Sequence, residues 1–152
     1  MGKQQLIQHQ ITAVNDLVLI NNDLAAGYQK ALDETADSAL QALWKKYRDL
    51  CLQNADELKG VIRRLGGDPA ANTTLAGKIY FMWLDLKTKL AGTNTVSVID
   101  ASEQSEYIAE KAYQEARQNK ELIWQDWQMA SLLKRQLRGL TAVHEEIAAL
   151  RA

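Results

Sequence analysis

The chain has 152 residues, with 18 Lys and Arg against 19 Asp and Glu, and a formal charge of −1. That length suits one hydrophobic core, and a composition of 47% hydrophobic and 24% charged residues is that of a globular chain, not a disordered one. The near-zero charge excludes a general pull toward nucleic acid or anionic lipid, and a single cysteine excludes an internal disulfide.

The opening residues, Met1-Gly2-Lys3-Gln4-Gln5-Leu6, carry no apolar signal core. No apolar run approaches a membrane span, so a reducing cytoplasm is the expected location. No Cys/His grouping has zinc spacing, and no Gly-rich phosphate loop or nucleophile elbow is present.

Apolar residues recur at helical spacing between a few clustered breaks. The first predicted helix covers about 4–34, with a stripe of Ile7, Ile11, Val14, Val18, Asn21, Ala25, Tyr28 and Leu32, and Asp23 set off it. The second covers 39–65, with Ser38 as its cap and Leu40, Trp44, Tyr47, Cys51, Asn54, Leu58 and Ile62 on its stripe. Gly66-Gly67 ends it. A shorter helix is predicted over 75–90, with Ile79, Met82, Trp83 and Leu86 on one face. The next, 96–118, has a thinner stripe of Ile99, Ser102, Glu106, Ala109, Tyr113 and Ala116. The last, 120–150, carries Ile123, Trp127, Ala130, Leu133, Leu137, Leu140, His144 and Ile147. No alternating strand pattern competes.

Short turns make the first two long helices one antiparallel pair and the last two another. The intervening stretch is long enough to carry the chain back along the bundle. The expectation is an all-α, ferritin-like four-helix bundle, one domain over 1–152, with a long crossover connection carrying a short extra helix. A plain up-down bundle with an appended helix is the alternative.

Several motifs follow one another in a telling order. They are Ile20-Asn21-Asn22-Asp23, Gly27-Tyr28, Glu34-Thr35, Leu65-Gly66-Gly67-Asp68-Pro69, Gly77-Lys78-Ile79-Tyr80 and Trp83-Leu84-Asp85-Leu86-Lys87. Glu103 with Glu106, Ala112-Tyr113, and His144 before Leu150-Arg151 complete the set. The ordered set resembles a bacterial family of ferritin-like four-helix bundles, the domain of unknown function 2383 type. The resemblance implies a fold and almost no function; stress is the only context it suggests.

Ferritin-like folds raise the question of a two-metal carboxylate centre. That chemistry needs one Glu from each of two helices and Glu-x-x-His from each of the others. Here Thr141, not Glu, precedes His144 by three, and the second helix contains no His. Only Glu103, Glu106 and Glu110 form a carboxylate face, and the expectation is that they flank a thin apolar stripe and reach solvent. A turn near Asn119 would set Glu106 opposite Leu132, about twelve residues or roughly 18 Å from the residues facing His144. His144 is then a hydrogen-bonded core or boundary histidine.

A polar core layer has better support. With a turn near Ala36, Asn21 falls level with Cys51 and Asn54, and Tyr28, Tyr47 and Tyr113 point inward near it. A buried Asn must be hydrogen-bonded and can fix helix register. Cys51 has no base at catalytic spacing and reads as an inert thiol. Met82, Trp83, Leu86, Trp124 and Trp127 are the candidate interaction surface.

Three readings follow. The first is a non-enzymatic binding or assembly protein, a homo-oligomer without cofactor, nucleic acid or membrane partner. The second is a metal-binding oxidase or peroxide-handling protein, with iron or manganese held by Glu103, Glu106, Glu110 and Tyr28. The third is a protein-interaction module using the crossover helix.

Overall fold

The computed structural model describes residues 2–70, 79, 95–119 and 127–150. Four long helices carry them: α1 (Lys3–Glu34), α2 (Ser38–Arg64), α3 (Thr95–Gln118) and α4 (Trp127–Ala149). No strand occurs among the described residues. The fold is all-α, as the apolar spacing predicts. The short helix expected over 75–90 lies outside the described residues except for Ile79, which is helical and buried.

Each helix buries a stripe at three- and four-residue spacing. On α1 the stripe is Ile11, Val14, Leu17, Val18, Asn21, Leu24, Ala25, Tyr28 and Ala31. On α2 it is Trp44, Tyr47, Cys51, Asn54, Ala55, Leu58, Val61 and Ile62. These stripes meet those of α3 and α4 in one core that includes Ala109, Tyr113, Leu133, Leu140 and Ile147.

Side-chain bonds fix the helix directions. Asn21 meets Tyr113 and Tyr28 meets Glu106, so α1 and α3 run antiparallel. Tyr47 meets Glu146 and Glu57 meets Arg135, so α2 and α4 run antiparallel as well. Helix α1 packs on α2 and α3, and α4 packs on α3 and α2. Helix α2 descends from the three-residue turn after α1, and α3, antiparallel to α1, therefore runs in the same direction as α2 on the opposite side of the bundle. The residues joining α2 to α3 start and finish at opposite ends of the bundle. The course of that connection lies outside the described residues.

The start of α2 corrects one expectation. Its cap is Asp37, not Ser38: the Asp37 carboxylate accepts the Leu40 N–H at 3.0 Å. Ser38 is the first helical residue, where its hydroxyl no longer lies over the free amides. The other end follows the double glycine. Gly66 takes a left-handed φ of 85°. Its N–H bonds Arg63 O at 3.0 Å and the Gly67 N–H bonds Ile62 O at 2.9 Å, the Schellman pair. Gly67 packs so closely on α1 that an added Cβ would lie 2.8 Å from Ile11 Cγ2. Asn15 secures the segment beyond, donating to Asp68 O at 3.0 Å and accepting from the Ala70 N–H at 2.7 Å.

On α4 the buried residue near the N-terminus is Met129, and Ala130 is exposed, the reverse of the expected stripe. Asp23 on α1 is another departure. It was expected beside the inner stripe, yet it is only 3% exposed.

Candidate functional site

The interior holds a polar layer to which every helix contributes one residue. Asn21 on α1 donates to the Tyr113 hydroxyl of α3 at 2.8 Å and to its own helix at Leu17 O, 2.9 Å. The Tyr113 hydroxyl donates onward to Gln136 Oε1 of α4 at 2.6 Å. Gln136 Nε2 donates to Asn54 O of α2 at 3.2 Å and to Glu57 Oε1 at 3.2 Å. Asn54 Nδ2 closes the ring on Asn21 Oδ1 at 3.3 Å. All four side chains are buried. Such groups are stable inside a protein because each amide and hydroxyl exchanges water for a protein partner.

A second layer lies two turns along α1. The Tyr28 hydroxyl donates to Glu106 Oε1 of α3. The Tyr28 ring stacks on Trp44 with centroids 6.1 Å apart and meets Tyr47 edge-on at 5.6 Å. The Trp44 indole donates to Thr35 Oγ1 at 3.1 Å, and the Tyr47 hydroxyl donates to Glu146 Oε2 at 2.7 Å. Buried Cys51 occupies the α2 turn between the two layers.

Glu106 is fully buried, which corrects the expectation that all three glutamates reach solvent. The face around it is built from Ala101, Ser102, Ser105 and Ala109. Small side chains let α3 approach its neighbours closely, so a residue at the middle of that face cannot reach water. Ser102 and Ser105 satisfy their hydroxyls on the carbonyls of Val98 and Ala101, at 2.8 and 2.7 Å. Burial pushes the Glu106 carboxyl up to about 8; the Tyr28 bond opposes that rise and the Glu110 charge adds to it. Its second oxygen, Oε2, is buried without a hydrogen-bond partner. Burial likewise raises Tyr28 and Tyr113, and it raises Cys51 well above the usual thiol range, consistent with an inert thiol.

Glu110 and His144 correct the expected register of α3 against α4. His144 Nδ1 lies 3.0 Å from Glu110 Oε1, one turn from Glu106. The pairs Tyr113–Gln136 and Glu110–His144 have midpoints beyond Asn119, so α4 is displaced along α3 relative to a turn at Asn119. Glu106 thus faces the Val143–Ile147 end of α4, not Leu132. His144 stands at the boundary, hydrogen-bonded to Glu110. Glu103 is half-buried.

The structure brings Asn21, Asn54, Tyr28 and Cys51 into neighbouring layers. Met82, Trp83, Leu86 and Trp124 lie outside the described residues; Trp127 opens α4, and its side chain lies outside them too. Sequence reasoning missed Gln136, which is 1% exposed. Its spacing from Leu133 and Leu140 was the available signal. A surface groove of about 460 Å³ between α1 and α3 is lined by Ala13, Asp16, Leu17, Ile20, Ala112 and Glu115; burial raises Asp16.

These residues do not fit a two-metal centre. The layer offers Asn21, Asn54, Gln136 and Tyr113, linked by hydrogen bonds, and the carboxyls beside it are Glu57, which accepts from Gln136 and pairs with Arg135, and Glu106. His144 is engaged by Glu110. Among the described residues no group of three His, Cys, Asp or Glu could hold a metal ion.

Fold and site together define an all-α four-helix bundle with a hydrogen-bonded polar core. A family model described as a domain of unknown function (DUF2383) matches residues 9–119, and the chain belongs to that family. The match runs from α1 through α3, so Gln136 and His144 lie beyond it. No curated protein matches the chain. No helix among the described residues is long and apolar enough to cross a membrane.

Proposed function

We propose that this chain is a ferritin-like bundle of the cytoplasm that works without enzymatic chemistry, as a self-associating binding or assembly protein. One observation carries the reading. Where a two-metal centre needs carboxylates and histidines on four facing helices, this interior has Asn21, Tyr113, Gln136 and Asn54 bonded in a ring. A ring of neutral groups fixes the relative height of all four helices and offers an ion neither carboxylate nor imidazole among its members. With its interior given to packing, the chain acts through its surface.

The test combines elemental analysis and light scattering on untagged protein purified after exposure to iron and manganese. The expected result is metal well below one ion per chain and a mass of two or more chains. Stoichiometric iron or manganese that disappears in Glu106→Ala would overturn the non-metal reading. A monomer mass at all concentrations would overturn self-association.

A further inference from the structure

Glu106 is a fully buried carboxyl at the meeting of four helices, and none of the described cations pairs with it. Tyr28 holds one oxygen and the other has no partner. The groups around it are Tyr28 on α1, Tyr47 and Cys51 on α2, and Glu110 and Tyr113 on α3. From α4, His144 is bonded to Glu110 and Glu146 to Tyr47. None of these contacts supplies Glu106 with a compensating positive charge. A carboxylate in that position would lack both water and a counter-ion, and a neutral carboxylic acid avoids burying that charge.

We propose that Glu106 is a proton-operated latch: the closed bundle holds it as a neutral acid, and opening of the core around it releases one proton to solvent. Opening then becomes easier as pH rises, because the open form lets the carboxyl ionise in water and the closed form resists it. The range runs from the ordinary carboxylate value of 4.5 to about 8, which spans the physiological interval.

Cys51 gives a built-in reporter, since it is the chain's one cysteine, is buried, and lies near enough to feel the Glu106 charge. The experiment follows labelling of Cys51 by a small aromatic disulfide between about pH 5.5 and pH 7.5. Each rate is divided by that of the urea-unfolded chain at the same pH, which removes the ionisation of the thiol itself. The ratio should rise about tenfold per pH unit, the slope of a single linked proton. In Glu106→Gln, which keeps the shape and cannot ionise, the ratio should be level with pH. A level ratio in the wild type, or an equal rise in both proteins, would overturn the latch. Infrared absorption of the wild type supplies a check independent of the variant. A band of a buried protonated carboxyl should be present near pH 6.5 and lost near pH 9.5, and its absence near pH 6.5 would also overturn the proposal.

Discussion

At Tyr113 one hydroxyl serves two helices at once, accepting from Asn21 and donating to Gln136. Tyr113→Phe keeps the ring in place, strands Gln136 Oε1 in a dry interior and leaves Asn21 Nδ2 only its bond to Leu17 O. Such a loss costs about 1–3 kcal/mol per stranded group. Urea unfolding should therefore show a drop of roughly 2–4 kcal/mol, allowing for relaxation; a change under about 0.5 kcal/mol would mean the ring carries no energy. Glu106 makes a different prediction. Its folded value of about 8 lies above its ordinary 4.5, so over that interval the folded chain keeps a proton that the unfolded chain has lost. The stability it allows is fully present below about pH 4.5, falls as pH rises toward 8, and is level beyond. The urea midpoint of the wild type should fall more steeply between pH 5 and pH 8 than that of Glu106→Gln; parallel slopes would contradict this.

At the scale of the helices, the ends make separable predictions. Asp37→Ala should cost about 1 kcal/mol through loss of the bond to the Leu40 N–H, and Ser38→Ala should stay within about 0.5 kcal/mol. The reverse order in chemical denaturation would restore Ser38 as the cap. Beyond α2, Gly67→Ala should destabilise by about 1–3 kcal/mol, because its Cβ would press on Ile11 and move it within a packed core. Much of this scale was legible in the sequence. The stripes of α1 and α2 show as apolar spacing, and the turn between them is so short that counting outward from it places Asn21 beside Asn54. The α3–α4 register was not legible by the same method. No Gly or Pro marks the connection after Gln118, so counting outward from Asn119 sets Glu106 opposite Leu132 and far from His144, whereas the Glu110–His144 bond shows α4 displaced along α3. Gln136 was hidden for another reason. A glutamine between Arg135 and Leu137 reads as part of a solvated face, and only the partners on three other helices explain its burial.

At the scale of the molecule, the two polar layers organise the bundle differently. The ring of Asn21, Asn54, Tyr113 and Gln136 touches all four helices, so any one-turn slip would leave several buried groups without partners. The Tyr28–Glu106 pair joins α1 to α3, helices far apart in sequence and joined by no short turn. The seam between α2 and α4 is bridged by long polar side chains, among them Arg135 to Glu57 at 2.5 Å and Tyr47 to Glu146. The most direct test of a core closed by hydrogen bonds is the urea midpoint of metal-free protein with and without excess manganese(II) or anaerobic iron(II). An ion bound in the folded core would stabilise it in proportion to the logarithm of its concentration. The account predicts an unchanged midpoint with either ion. A midpoint that rises with added metal in the wild type, and no longer does so in Glu106→Ala, would contradict it.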